Sequence, residues 1–392
     1  MDRLYQLIKQ LPTSSAFDVS NLVVLEATVP TGFESTAVDE INETGSKLGW
    51  DQLQQHCPYA LADAAECRGH VYFAVALEAV SEVLSLRSLD NIQVLIGCFE
   101  APDQYLTCQS KELCLKFIEE NILTQCDFIT GLKALLQTRR HSTDLGKHSF
   151  TSMDAAAIFG GVIVKQFGWH VNLTQFDVEV ILAIRNDKIN IGISLTSDTG
   201  SLHRRNITNF GVTTLRATIA YGLLRLCQIQ PGETVCDPLC GSGAICVEGT
   251  LCYDRAMYLT GDNCQLAAEK TAQNLLALRS QTKTGSCHVV HWDSLHLPLR
   301  DKSVDVIVTD LPFGKRLSSQ ADNRMLYPGL LREWHRVITT ENGRTVVLTA
   351  DKRNFVYALK RCHSLWRNHK TLSINIGGIV ASVFLLHRAK LS

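Results

Sequence analysis

The 392-residue chain lacks several features that would place it in a familiar class at once. No stretch reaches the roughly 18 uninterrupted apolar residues typical of a membrane-spanning helix, and the N-terminus has no basic segment before a long apolar run. No Cys-x-x-Cys pair occurs among the 14 cysteines, many of which lie inside apolar runs. The sequence therefore predicts no membrane segment, no intrinsic metal, buried thiols, and a reduced compartment, cytoplasmic or nuclear with the cytoplasm preferred.

The chain also has no excess of charge of one sign, because its 38 Lys and Arg residues are balanced by 39 Asp and Glu residues, which gives a net charge of -1. Any attraction to nucleic acid must then come from local patches. The length and a hydrophobic content of 45% are sufficient for two globular domains. The composition shifts at Asp198-Thr-Gly-Ser201, so we predict one domain over residues 1–200 and a second over residues 201–392.

The N-terminal domain is predicted to be a small α+β fold without obvious catalytic groups. A polar interval over residues 137–149 separates its two parts. The first part has a helix after Pro30-Thr-Gly-Phe33 and strands at residues 23–28, 71–75 and 92–99. The second has a helix at residues 152–167 and strands near 178–184 and 189–195.

Beyond residue 201, short apolar strands alternate with helices in the rhythm of a doubly wound parallel α/β sheet. The predicted strands are 234–236, 258–261, 288–291, 304–309 and 345–349. Two final runs, 372–376 and 379–386, are joined by Gly377-Gly378 and predict a terminal antiparallel hairpin. A mixed sheet with this ending is typical of a class I, Rossmann-like methyltransferase.

A glycine loop, Asp237-Pro-Leu-Cys-Gly-Ser-Gly243, follows the first of these strands. Gly241 and Gly243 allow a tight turn and a close approach of the backbone to a ligand, where open parallel sheets bind nucleotide-like cofactors. The third glycine of a dinucleotide loop is replaced by Cys246, and no GxxxxGK[ST] phosphate loop occurs. S-adenosylmethionine, which has no phosphate, fits this acidic loop better.

Acidic residues end the following strands as well. Asp262 is placed to bind the ribose hydroxyls of the cofactor, and Asp293 to accept a hydrogen bond from its adenine amino group. For any one of them, capping of the next helix is an equal alternative. Together with Asp237, they put three acids in series beside a glycine loop, which favours a cofactor site.

A second loop, Asp310-Leu-Pro-Phe-Gly-Lys-Arg316, follows the strand at 304–309. An exocyclic amine of a nucleobase is a poor nucleophile, because its lone pair is delocalised into the ring. Asp310 and the carbonyl before Pro312 can accept its two N–H hydrogens, and Asp310 can take the released proton. Phe313 offers a face for stacking the base. Leu-Pro-Phe-Gly alone could be a simple turn, but with the cofactor loop upstream it indicates methylation of a nucleobase amine.

Basic residues at two places are candidates for substrate phosphate contacts. Arg204 and Arg205 lie in the predicted hinge, and Lys315 and Arg316 directly follow the second loop. A solvated surface pair is the alternative for each. A third basic and aromatic cluster, for which a solvated surface is also the alternative, contains His363, Trp366, Arg367, His369 and Lys370.

Taken together, these segments resemble the family of THUMP-domain-containing guanine-N2 methyltransferases that act on tRNA. The likeness spans nearly the whole chain and rests on Ala27-Thr-Val-Pro-Thr-Gly-Phe-Glu34, Phe176-Asp-Val-Glu-Val180, Leu202-His-Arg-Arg-Asn-Ile207, the helix at 213–226, and the two loops above. The resemblance implies a ferredoxin-like and THUMP region that binds tRNA, and S-adenosylmethionine-dependent methylation of guanosine N2 in the acceptor stem, at position 6 or 7. It also implies a small zinc-binding activator subunit.

By the same resemblance, Asp310, Pro312 and Phe313 map to the catalytic loop, and the cofactor site takes Asp237, Gly241, Gly243, Asp262 and Asp293. The family usually carries a longer charged insertion where residues 125–149 are short here. Methyl acceptors such as adenine N6 or a glutamine amide usually go with Asn-Pro-Pro-Tyr, which differs from this loop. A guanosine of another RNA, such as a small nuclear RNA, and a catalytically silent RNA-binding protein are further alternatives. Acidic residues are present at four strand ends, which argues against a catalytically silent protein.

Overall fold

The structure, a computed structural model, describes residues 22–48, 68–100, 138–143, 150–169, 178–185, 188–196, 206–280, 284–313 and 319–389, and single positions 112, 116, 119, 120, 172 and 176. The chain forms two compact units. The first comprises Met1–Thr28, Val38–Leu86 and Asn91–Leu202, and the second comprises Val29–Ala37, Arg87–Asp90 and His203–Ser392. In the part of the chain that is described, no helix is both long and apolar enough to cross a membrane.

The first unit contains a six-stranded sheet in the order β2-β1-β3-β6-β5-β4. Its strands are β1 (Leu22–Thr28), β2 (His70–Ala76), β3 (Ile92–Glu100), β4 (Thr138–Thr143), β5 (Val178–Arg185) and β6 (Lys188–Ser194). The helices that follow β1, β2 and β4 in the chain are α1 (Glu34–Leu48), α2 (Val80–Val83) and α3 (Ser152–Phe167).

The predicted strands of this unit are confirmed, but the predicted separation into two parts is wrong. β3 pairs with β6 across the polar interval, so one sheet holds the strands from both sides of it. The interval itself contains β4, which pairs in parallel with β5. Its sequence, TRRHST, has no apolar alternation, and its strand conformation therefore depends on the partner strand.

The second unit contains a seven-stranded sheet in the order β12-β13-β11-β10-β7-β8-β9. Strands β7 to β11 are parallel, and β13 runs antiparallel to both its neighbours. The strands are β7 (Thr234–Asp237), β8 (Met257–Asp262), β9 (Ser286–His291), β10 (Val306–Asp310), β11 (Arg344–Thr349), β12 (Trp366–Ile376) and β13 (Ile379–Arg388). The helices are α4 (Ala217–Cys227), α5 (Ala244–Cys252), α6 (Gln265–Arg279), α7 (Gln320–Val337) and α8 (Lys352–Arg361). The predicted class I sheet is confirmed.

Two core clusters lie on the two faces of this sheet. Val306 and Val308 of β10 face a cluster that includes residues of α4, α5 and α6, whereas Ile307 faces a cluster with residues of α7 and α8. Successive side chains of a strand point to opposite faces. A strand buried on both faces must be apolar throughout, which is why the run at β10 was readable from the sequence.

The predicted terminal hairpin is confirmed, with both glycines in left-handed conformations: Gly377 has φ 56° and Gly378 has φ 87°. The backbone N–H of Gly378 donates to Oδ1 of Asn375 at 2.8 Å. Residues without a Cβ adopt such angles at no steric cost, and two of them in a row form the hairpin turn that matches the twist of the strands.

The second unit also includes a short segment from before residue 200, residues 29–37. At Gly32, φ is +99° and a Cβ would stand 2.2 Å from the carbonyl oxygen of Ser373, so only glycine fits. The backbone N–H of Asn375 donates to the carbonyl of Thr31 at 3.1 Å. Phe33 is 2% exposed and belongs to the core cluster that contains α4. The Pro-Thr-Gly-Phe segment thus stabilises the sheet of the second unit.

A second such segment, residues 87–90, is held by charges. Arg87 donates through Nη2 to Oε2 of Glu248 at 2.7 Å, and Glu248 is buried. Asp90 accepts from the hydroxyl of Thr218 at 2.9 Å and pairs with Arg216 at 3.0 Å. Removing one partner of a buried pair leaves an uncompensated charge, so these contacts fix the segment firmly.

Candidate active site

Two neighbouring parallel strands, β7 and β10, carry the two predicted loops at their carboxyl ends. From β7 the chain continues through α5 to β8 on one side, and from β10 it continues through α7 to β11 on the other. At such a switch point a crevice opens between the diverging connections, and open α/β sheets bind ligands there. The glycine turn and the acidic turn therefore lie side by side at one edge of the sheet.

Asp237 ends β7 and is buried at this crevice. Its Oδ1 accepts from the hydroxyl of Thr309 at 2.8 Å and from the backbone N–H of Leu239 at 3.3 Å. The first contact joins the two strands directly. Burial raises the pKa of Asp237 to about 7, with nearby Asp262 adding to the rise, although the hydrogen bonds oppose it.

The two loop glycines are required for different reasons. Gly243 has φ 85°, and a Cβ there would lie 2.7 Å from Cγ2 of Thr271 and 3.2 Å from Sγ of Cys246. Gly241 has φ 56° and faces open space, with nothing within 4 Å of a Cβ. Gly243 is therefore needed for packing, whereas Gly241 leaves the backbone open to a ligand.

Asn274 of α6, which the sequence did not single out, ties the glycine turn to the segment at residues 208–209. The side chain is 1% exposed. Its Nδ2 donates to the carbonyls of Ser242 and Asn209 at 2.9 and 3.0 Å. Its Oδ1 accepts from the backbone N–H groups of Thr208 and Asn209 at 3.0 and 2.8 Å. One side-chain amide thus holds the glycine turn and the segment at residues 208–209 together.

Asp262 and Asp293 stand at the same edge, after β8 and β9. Asp262 accepts from the backbone N–H of Gly241 at 3.0 Å through Oδ2 and from that of Cys264 at 2.9 Å through Oδ1, so it supports the glycine turn and also forms the turn that precedes α6. Asp293 is exposed and pairs with His296 at 2.9 Å. That hydrogen bond lowers the pKa of Asp293, which keeps the carboxylate ionised.

Asp310, the last residue of β10, has fewer partners than Asp237. The residue is partly exposed, but its Oδ1 is buried and makes no hydrogen bond within the described residues. Burial, with Asp237 nearby, raises the pKa of Asp310 to about 8. A buried carboxyl oxygen without a donor is unfavourable in a folded protein. A ligand that brings N–H donors into the crevice would satisfy it.

The residues after Asp310 are anchored on both faces of the sheet. The backbone N–H of Leu311 donates to the carbonyl of Leu348 at 2.9 Å, and its side chain is buried in the cluster with α7. Phe313 is half-buried and packs against the opposite cluster. The exposed part of its ring is free to stack on a planar ligand.

The carbonyl of Pro312 is held by α7, a feature that the sequence did not reveal. The hydroxyl of Tyr327 donates to it at 2.7 Å, and Nδ2 of Asn323 at 3.1 Å. Tyr327 also lies 3.2 Å from Oγ1 of Thr349, and Asn323 donates to Asp351 at 3.1 Å. This buried network joins the turn to the end of β11, so the direction of the turn is set by rigid elements.

We expect Tyr327→Phe to lower the turnover number about ten-fold, because the turn loses one of its two fixed donors, with little change in cofactor affinity. Tyr258→Phe is the matched control, since the Tyr258 hydroxyl is also buried but has no hydrogen-bond partner in the described chain. Steady-state kinetics and calorimetric binding of S-adenosylhomocysteine measure the two effects. An equal drop in the turnover number of both variants would mean that the network has only a packing role.

The four predicted phosphate contacts, Arg204, Arg205, Lys315 and Arg316, lie outside the described residues and stay predictions. Of the third basic cluster, Trp366 is 4% exposed and donates its ring N–H to the carbonyl of Leu331 at 2.8 Å. It is a core residue and does not offer a stacking surface, so its place in that cluster was wrong. Over the described ranges, no group of three or more His, Cys, Asp or Glu is arranged to hold a metal ion.

Comparisons with known proteins agree with this architecture. Residues 204–381 match the RMKL-like methyltransferase domain, and residues 111–194 match the THUMP domain. The human tRNA (guanine(6)-N(2))-methyltransferase THUMP3 is 35% identical over 466 residues, which cover 94% of this chain and 88% of that protein. The human U6 snRNA (guanine-N(2))-methyltransferase THUMPD2 is 30% identical over 209 residues, or 53% of this chain and 39% of that protein.

Among solved structures, the crystal structure of TrmN from Thermus thermophilus has a TM-score of 0.75 and 22% identity, covering 93% of this chain and 99% of that one. Fold and comparisons together define a class I methyltransferase that uses S-adenosylmethionine. The chain belongs to the family of THUMP-domain-containing tRNA guanine-N2 methyltransferases.

Proposed function

We propose that this enzyme methylates N2 of a guanosine in the tRNA acceptor stem, with position 6 favoured over position 7. The name of the human relative, a tRNA (guanine(6)-N(2))-methyltransferase, supports position 6. The observation that carries the proposal is the unsatisfied Oδ1 of Asp310, at the switch point beside the glycine turn. An exocyclic amine with two N–H hydrogens is the kind of donor that this oxygen lacks.

The residues of the site fit S-adenosylmethionine. The space where Gly241 would carry a Cβ is open. Three acidic residues lie at the edge of the sheet where a ligand without phosphate would bind, namely Asp237, Asp262 and Asp293. Asp237 would bind the amino-acid end of the cofactor, Asp262 the ribose hydroxyls, and Asp293 the adenine amino group. When bound, the cofactor supplies an electrophilic methyl group on a sulfonium.

The acidic turn would activate the methyl acceptor. Asp310 accepts one N–H of the guanine amine and the carbonyl of Leu311 the other, which localises the lone pair on nitrogen. Phe313 stacks on the base, and Pro312, fixed through its own carbonyl by Tyr327, keeps the turn in place. After transfer, Asp310 takes the amine proton, for which a raised pKa is suited.

The proposal has four further parts. The N-terminal region binds tRNA, and the two domains divide between residues 200 and 201. The enzyme acts in the cytoplasm, and a small zinc-binding activator subunit binds to it. They rest on the family resemblance. The domain division also agrees with a methyltransferase match that begins at residue 204.

A guanosine in a small nuclear RNA is the second candidate substrate, because one relative is named for U6 snRNA. That relative matches over 53% of this chain, whereas the tRNA enzyme matches over 94%. The longer match favours tRNA.

The experiment is incubation of the full chain, with and without the activator subunit, with labelled S-adenosylmethionine and either unmodified tRNA or U6 RNA. Nucleoside analysis then identifies the product. We expect N2-methylguanosine from tRNA, mapped to position 6. N6-methyladenosine would overturn the assigned acceptor, and label in U6 RNA alone would overturn the assigned RNA. No transfer to either RNA with the activator present would favour a silent RNA-binding protein.

A further inference from the structure

Two helices next to the acidic turn present a face of unbalanced positive charge, which we call the α7–α8 basic face. Its exposed cations are Arg324 and Arg332 of α7 and Arg353, Lys360 and Arg361 of α8. Helix α8 has no acidic residue. On α7, Asp322 is engaged in a capping box with Ser319, and Glu333 pairs with Arg336. Within these two fully described helices, no carboxylate pairs with the five cations.

The centre of the face is an arginine pair around Tyr357. The guanidinium carbon of Arg324 lies 4.4 Å from the centre of the Tyr357 ring, and that of Arg361 lies 5.9 Å from it. Nη1 of Arg361 also donates to the Tyr357 hydroxyl at 3.4 Å. Hydrogen bonds from Arg324 and Arg361 lower the pKa of the Tyr357 hydroxyl. Two like charges converge on one ring here, and a bound anion would relieve their repulsion.

The other cations continue the face along α8. Arg353, Tyr357 and Arg361 follow one another at intervals of four residues and so lie on one side of the helix, which is about 15 Å long. Arg353 stands in the first turn, where the helix dipole disfavours positive charge. Its charge is therefore not explained by stability of the helix.

The face begins at the catalytic edge of the sheet. Asn323, the neighbour of Arg324, donates to the carbonyl of Pro312 at 3.1 Å. Asn354, the neighbour of Arg353, donates to the carbonyl of Gln320 at 2.9 Å. The start of α7 thus contacts the acidic turn directly, and α8 is bound to the start of α7.

We propose that the α7–α8 basic face binds the phosphate backbone of the substrate RNA next to the methylated nucleotide, with Arg324 and Arg361 as a clamp on one phosphate. Arginine forks bind phosphate oxygens in pairs, and contacts of this kind position a nucleic acid without reading its sequence. The inference rests on the proposed function, since it takes RNA as the substrate. It adds a binding surface on the methyltransferase unit itself, independent of the N-terminal region.

The test compares the double variant Arg324→Ala/Arg361→Ala with the matched control Arg255→Ala/Arg300→Ala. The control residues are exposed arginines before β8 and β10, at the opposite edge of the same sheet. Anisotropy titrations of labelled tRNA across a range of salt give the affinity and its salt dependence. Cofactor binding and thermal melting check that each variant is folded.

We expect the test variant to bind tRNA about ten-fold more weakly and to reduce the slope of log K against log[salt] by about 0.8, as for one lost phosphate contact. Affinity and slope equal to those of the control, in a chain whose wild type methylates tRNA, would overturn this inference alone. If the variant keeps its tRNA affinity but loses the activator subunit, the face binds protein and the inference is wrong. A wild type that neither binds nor methylates tRNA would overturn the proposed function as well.

Discussion

Asp310→Asn lowers the rate of methyl transfer by about a hundred-fold to a thousand-fold and leaves the affinity for S-adenosylmethionine nearly unchanged. The amide keeps the size of the side chain but removes the negative charge that stabilises the developing charge on the amine and receives its proton. Asp254→Asn, an exposed aspartate at the opposite edge of the sheet, is the control. Single-turnover rates and calorimetric cofactor binding separate the two quantities. Equal loss of both would show that Asp310 belongs to the cofactor site.

The pH profile adds an independent readout of the same residue. Burial raises the pKa of Asp310 to about 8, so much of the carboxyl is protonated at neutral pH before substrate binds. The ionised form is the better acceptor, and kcat/KM should therefore rise with pH, with a midpoint near pH 8. The Asp310→Asn variant should not show this rise of kcat/KM with pH. A wild-type profile that is flat from pH 6 to 9 would contradict the role given to this carboxylate.

Gly241→Ala weakens binding of S-adenosylmethionine by about a hundred-fold, whereas Gly377→Ala has no effect on binding. The two positions form a matched pair, because each has φ 56° and open space where a Cβ would stand. Forcing alanine into the left-handed region costs about 1 to 2 kcal/mol at either site, so both variants should lose similar stability. Only at the glycine turn would the new methyl group occupy the space of the cofactor.

Thermal melting and calorimetric titration with S-adenosylhomocysteine measure the two effects. Gly243→Ala provides a contrast, because its Cβ would meet Thr271 at 2.7 Å and should disturb packing as well as binding. If Gly241→Ala binds the ligand as the wild type does, the open side of the glycine turn is not where the cofactor binds.

The parallel strands of the second unit were predictable because burial on both faces makes them continuous apolar runs. The same physics explains the errors at the edges. β12 begins at Trp366 and not at residue 372, because its first half is the polar stretch Arg367-Asn-His-Lys370 on an edge strand with a single partner, interrupted by a bulge. β4 was missed for a similar reason, since its parallel pairing with β5 is a tertiary contact.

The positions of the candidate site residues were predictable where each depends on its own loop. Asp237, Gly241, Gly243 and Asp310 occupy the strand ends and the turn that their motifs indicated. The supporting residues were not predictable, because Tyr327 and Asn274 reach the two turns from α7 and α6, at distances in sequence that no local pattern encodes. The start of α7 at Gln320 could also have been predicted, since Ser319 and Asp322 form the Ser-x-x-Asp signature of a capping box.

The central claim is that the glycine turn and the acidic turn form one cleft in which a cofactor and a guanine meet. A bisubstrate ligand that tethers guanine through N2 to the sulfur position of S-adenosylhomocysteine tests it most directly. We predict that calorimetry will find this ligand bound at least about a hundred-fold more tightly than S-adenosylhomocysteine, with the gain lost in Asp310→Asn and absent for a ligand tethered through adenine N6. Affinity no better than that of S-adenosylhomocysteine would contradict the claim.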